Sequence, residues 1–76
     1  MKKMIANLRG TCYRENDRFG YKVWIEHENS EMLLRRTEPI YETHEIAAYH
    51  MTDMVNACLD YLKEKSPGML VLDRNT

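Results

Sequence analysis

The stretch THEIAAYHMTDMVNACLDYLKEK, Thr43 to Lys65, decides the fold. Ala47, Met51, Met54, Val55, Cys58, Leu59 and Leu62 recur at helical spacing and make one apolar stripe. Tyr49, Thr52, Asp53, Asn56, Asp60 and Lys63 make the opposite, polar face. Thr43 is placed to cap the first turn, and Glu45 suits the positive end of the helix dipole. Lys63 and Lys65 suit the negative end, and Ser66-Pro67-Gly68 stops the helix. A helix with one apolar stripe must lay it on something. The chain upstream supplies that surface.

Upstream the period is two. Tyr21 to Glu28 is the clearest strand, with Tyr21, Val23, Ile25 and His27 on one face and Lys22, Trp24, Glu26 and Glu28 on the other. Met4 to Tyr13 alternates more loosely, with Met4, Ala6, Leu8 and Cys12 opposite Asn7, Arg9 and Thr11. Residues 14–20 read as a polar loop, and Asn29-Ser30 as a hairpin connection. Glu31 to Thr37 is a third strand, Met32, Leu34 and Arg36 opposite Leu33 and Arg35, with either face inward; Pro39 ends it. Downstream, Met69-Leu70-Val71-Leu72 is a short apolar run that reads as a fully buried strand. The order is βββαβ. It predicts a two-layer α+β domain over residues 1–76, a three-stranded antiparallel meander with one helix and a final short strand parallel to a neighbour.

The 76 residues allow one domain, which buries only about 60% of the surface its unfolded chain exposes. Eleven basic and twelve acidic side chains exclude a binder driven by global positive charge. The near-balance is an average: residues 1–36 carry net +3 and residues 37–76 net −4. Such a split is either two differently solvated surfaces or a dipole that steers a partner. Two separated cysteines, Cys12 and Cys58, read as small hydrophobes in a reducing compartment rather than a disulfide frame. The apolar run after the basic start is too short for a signal peptide, and no stretch is long enough for a membrane helix, so the expected location is the cytoplasm.

The common chemistries find no constellation. His44-Glu45 opens like a zinc-protease helix, but the position four after His44 is Ala48, and His50 falls on another face. Cys58 lies in the apolar stripe, where a thiol is inert, and Gly10, Gly20 and Gly68 are too far apart for a phosphate loop. The expectation is a protein that is not an enzyme and uses no cofactor or metal. The candidate partner-binding residues are Trp24, Lys22, Tyr49, Arg35 and Arg36. Trp24 and Tyr49 are large aromatics on faces the pattern exposes, typical interface anchors. Lys22, Arg35 and Arg36 beside Trp24 also suit a base-stacking sheet face, although Glu26 and Glu28 on that face repel phosphate.

Leu8-Arg9-Gly10-Thr11-Cys12, Thr43-His44-Glu45-Ile46-Ala47-Ala48-Tyr49 and Leu70-Val71-Leu72-Asp73 resemble the first strand, the helix start and the later strand of the ribonuclease H-like fold. The resemblance implies three antiparallel strands, a helix and a parallel strand. It puts Arg9 where the first catalytic carboxylate stands and Ala48 where the helix Glu stands, with Glu45 three residues away; Asp73 alone matches. A two-metal site needs converging carboxylates, so the resemblance implies a non-catalytic member. Glu42-Thr43-His44-Glu45-Ile46-Ala47 is similar to the helix entry of HicB-type antitoxins, whose partial ribonuclease H-like domain binds a toxin. Three functions are therefore carried forward. The first is a small protein-binding inhibitor or regulator of the kind found in phages and mobile elements, anti-defence or antitoxin-like, in which a homodimer would hide one aromatic. The second is an RNA- or DNA-binding sheet. The third is a residual nuclease using Glu45 and Asp73.

Overall fold

The computed structural model describes residues 4–66 and 68–73, and for Met4, Met69 and Asp73 the backbone only. Its elements are β1 (Met4–Glu15), β2 (Arg18–His27), β3 (Ser30–Arg36), α1 (His44–Lys65) and β4 (Met69–Asp73). They form one four-stranded sheet in the order β3-β2-β1-β4, with one helix. The three first strands are an antiparallel meander, and β4 runs parallel to β1 from Met4↔Met69 to Leu8↔Asp73. This is the α+β, βββαβ architecture the change of period predicts.

The β1–β2 hairpin is longer than the alternation suggests. Residues 14 and 15 continue β1, residues 18–20 begin β2, and Asn16-Asp17 alone make the turn. Both have positive φ, 51° and 63°, as a tight turn matched to the twist of the strands requires. Asn and Asp tolerate that region better than other side chains, so a turn without glycine closes ten paired positions, from Ala6↔His27 to Glu15↔Arg18. The β2–β3 turn is Glu28-Asn29, one residue earlier than expected, with Glu28 at φ 56°.

Helix α1 starts as its sequence dictates. The Ile46 N–H donates to Thr43 Oγ1 at 3.1 Å, and the Ser66 N–H closes the other end on the Leu62 carbonyl at 2.8 Å. The stop at Pro67 lies outside the described residues. The helix lies across β1, β2 and β4. It buries Ala47, Met51 and Val55 against Ala6, Leu8, Tyr21, Val23 and Val71. Met54, Cys58, Leu59 and Leu62 pack around this core but are only half-buried. Met54 and Leu62 are therefore at the margin of the core and not inside it, because the helix does not reach β3.

Two further expectations change. β4 is an edge strand, not a fully buried one: Val71 is under the helix, while Leu70 and Leu72 are 46% and 43% exposed on the other face. One helix covers one face, so an apolar strand is covered on one side only. Every residue of β3 is exposed. Its pairing shifts between Val23 and Trp24, so that Leu34 is an extra residue between Arg35 (opposite Val23) and Leu33 (opposite Trp24). This bulge resets the alternation. Glu31, Leu33 and Arg36 go to the face away from the helix, and Met32, Leu34 and Arg35 to the helix side.

The link from β3 to α1 is held along β2. Tyr41 and Phe19 exchange backbone hydrogen bonds at 2.8 and 3.0 Å, and Thr37 Oγ1 accepts the Tyr21 N–H at 3.0 Å. Among the described residues no helix is long and apolar enough to cross a membrane.

Candidate functional site

The face of the sheet opposite α1 has no covering element among the described residues. Paired residues share a face, so the register maps it in rows across the strands. Thr11, Lys22 and Arg36 form one row, and Arg9, Trp24 and Leu33 the next. Asn7, Glu26 and Glu31 form the third, which Leu72 of β4 extends beside Asn7. Ile5 and Leu70 lie beyond it. The face is thus basic at one end and acidic at the other, with Trp24 and Leu33 between.

Each end has its own internal order. At the basic end Tyr13 lies over Gly20, where an added Cβ would stand 2.7 Å from its ring, so only glycine leaves room for the aromatic. The Tyr13 hydroxyl donates to the Thr37 carbonyl. The Lys22 ammonium and the Arg36 guanidinium sit 5.4 and 5.3 Å from the Tyr13 ring centre, within cation–π range. At the acidic end Arg9 reaches two carboxylates, Glu26 at 3.3 Å and Glu31 at 3.6 Å. These bridges are exposed enough to add little stability, but they fix where the charges stand. Glu26, Glu28, Asn29, Ser30 and Glu31 line an acidic hollow of about 310 Å³ at the hairpin end.

Of the five residues singled out from sequence, three meet on this face: Lys22, Trp24 and Arg36. Arg35 does not, since the bulge sends it to the helix side, where its charge acts on Cys58. Tyr49 does not either; it is 66% exposed on the outer surface of α1, with its ring edge-on to His50. The reading by alternation missed Tyr13 and Leu33 and the aliphatic edge of Ile5, Leu70 and Leu72. Tyr13 is an odd position of β1 like Arg9 and Thr11, so the alternation from Met4 to Tyr13 already gives its face; the pairing with Gly20 is what the alternation does not show.

A second uncovered region lies between α1 and β3. Leu34, Met54, Ala57, Cys58, Tyr61 and Leu62 line an apolar groove of about 320 Å³. Cys58 in its lining and Cys12, whose Sγ is 3.9 Å from Met51 Sδ, are free thiols. Burial pushes both above the usual thiol value; for Cys58 the Arg35 charge opposes part of that. The thiols are thus held protonated, the opposite of a nucleophile's requirement.

Among the described residues no three His, Cys, Asp or Glu converge to hold a metal. His44 packs edge-on against Phe19 and His50 stacks on Tyr41, so both imidazoles are engaged by aromatic rings. Arg9, at the position the ribonuclease H-like resemblance gives to a carboxylate, is bound up in ion pairs with Glu26 and Glu31. Glu45 is exposed in the first turn of α1, and the Asp73 side chain lies outside the described residues. Comparison with protein-family models, curated proteins and solved structures returns no match.

Proposed function

We propose that this chain is a small non-enzymatic protein-binding module that acts as an inhibitor or regulator, and that its docking surface is the open face of the sheet. The observation that carries the reading is a half-buried Trp24 next to a 42% exposed Leu33, ringed by charges held in place by their neighbours. An aromatic and aliphatic centre with a polar rim is the usual anatomy of a protein interface. The particular kind of regulator, antitoxin-like or anti-defence, follows the HicB-type resemblance of Glu42 to Ala47 and is part of the proposal.

The test is affinity capture with three tagged proteins. Wild type and Tyr49→Ala should retain the same stoichiometric partner, and Trp24→Ala/Leu33→Asp should lose it. Retention by the face variant, or a wild type that holds neither another protein nor a co-expressed untagged copy of this chain, would overturn the assignment. A second reading, a nucleic-acid-binding sheet, is favoured by the Lys22–Tyr13–Arg36 cluster alone. It requires a mobility shift at low salt that weakens as salt is added. The acidic row, Glu26 and Glu31, lies two rows away on the same face and works against phosphate, so the protein reading is preferred.

A further inference from the structure

We infer that the partner of the open face is a second copy of this chain, stacked sheet on sheet about a two-fold axis that passes beside Trp24 and Leu33; this rests on the reading of that face as a docking surface.

The open face is complementary in charge to itself. The row Arg9, Trp24, Leu33 lies midway between the basic row (Lys22, Arg36) and the acidic row (Glu26, Glu31). A two-fold axis lying in the interface and across the strands through the middle row exchanges the other two. Each basic row then lies over the partner's acidic row. The self-match is not a property of net charge, which is close to zero; it is a property of the order of the rows. Trp24 and Leu33 come to lie against their own copies, which an isologous contact demands. Arg9 also nears its own copy, but its charge is already taken by Glu26 and Glu31. Those carboxylates would sit between the Arg9 of their own chain and the partner's basic row, so that charge signs alternate across the contact.

Area agrees with a modest but specific dimer. Strands of 12, 10, 7 and 5 residues, at ~3.3 Å per residue and ~4.8 Å apart, give about 500 Å² of sheet per copy, on the order of 1,000 Å² in total, the threshold of a specific interface. Aligned packing of two sheets is a standard solution for a sheet with one uncovered face. The groove between α1 and β3 has no such pattern, since its lining is nearly all apolar and names no occupant.

Sedimentation equilibrium on charge-reversed variants tests the inference. Wild type should sediment at twice the mass of one chain at micromolar concentration. Lys22→Glu/Arg36→Glu and Glu26→Lys/Glu31→Lys should each weaken self-association by ~100-fold or more, because like charges then face each other. An equimolar mixture of the two should recover the dimer, which also shows that both variants are folded. A wild type that stays monomeric at several hundred micromolar overturns the inference. So does a dimer that both charge variants retain, or a mixture that gives no heterodimer. If wild type is monomeric yet the Trp24→Ala/Leu33→Asp variant loses a different protein in affinity capture, only the choice of a second copy fails. If that variant loses no partner of any kind, the docking surface itself fails.

Discussion

The two faces of one sheet are built from the same alternating strands, yet they are finished differently. Under α1, Ala6, Leu8, Val23 and Ala47 are wholly buried, and Leu8 and Val23 cluster with Met51 and Val55 from the helix. On the other side, Ile5, Leu33, Leu70 and Leu72 are 42–51% exposed, and charged side chains are arranged between them by ion pairs and an aromatic ring. The lesson is one of supply. A single helix has enough apolar surface for one face and for three of the four strands. What it leaves uncovered, the second face and β3, is where binding is available.

Substitutions break or sharpen that contrast. The largest effect is expected from Leu8→Ala, where a fully buried side chain leaves a cavity between sheet and helix. It should cost about 2–5 kcal/mol in urea unfolding, a large share of the stability of a domain this small. Leu33→Ala, measured at dilution where the chain is monomeric, should stay within roughly 0.5 kcal/mol, as exposed positions do. Equal costs at the two positions would erase the distinction between the faces.

Gly20→Ala comes next. Its Cβ would stand 2.7 Å from the Tyr13 ring, so the ring must leave, and the loss should be about 1–3 kcal/mol. Coupling confirms the cause: in a Tyr13→Ala background the same change should cost far less. A smaller gain is expected from Glu28→Gly, since Glu28 is held at φ 56°; relief of that conformation should add on the order of 1 kcal/mol.

The smallest effect is on pH dependence. Burial raises the Cys12 and Cys58 values above those of the unfolded chain. Between the unfolded and folded values the native state holds more protons, so stability falls as pH rises through that window. It is fully present below the ordinary thiol range. Cys12→Ala/Cys58→Ala should remove this alkaline decline in urea midpoints, and both native thiols should alkylate more slowly than in urea. A native thiol that reacts as fast as an unfolded one would contradict the protected environment.

Much of this was legible in the residues. The seven-residue stripe from Ala47 to Leu62 announces the helix and its inward face, and Tyr21, Val23 and Ile25 announce the inward face of β2. Lys22 and Trp24 followed from the same alternation. The bulge at Leu34 did not, because nothing within β3 marks it; it is a property of how β3 meets β2, and it alone decides that Arg36 and not Arg35 joins Trp24. The edge position of β4 was hidden for a similar reason. Leu70, Val71 and Leu72 are apolar on both sides of the strand, which reads as burial, and only the count of covering helices reveals that one side stays open. The Asn16-Asp17 turn lacks the glycine that usually signals a tight hairpin, so residues 14–20 read as a loop and the packing of Tyr13 over its partner Gly20 does not follow from the sequence.

Trp24 is the single tryptophan of the chain, and it stands in the middle of the proposed contact. Its emission, recorded across a dilution series beside the sedimented mass, therefore reports on the open face itself. The emission maximum should move to longer wavelength, and quenching by acrylamide should increase, over the same concentration range in which the mass falls by half. A mass that halves while Trp24 emission and quenching stay constant would contradict it, because the two copies would then meet somewhere other than the open face.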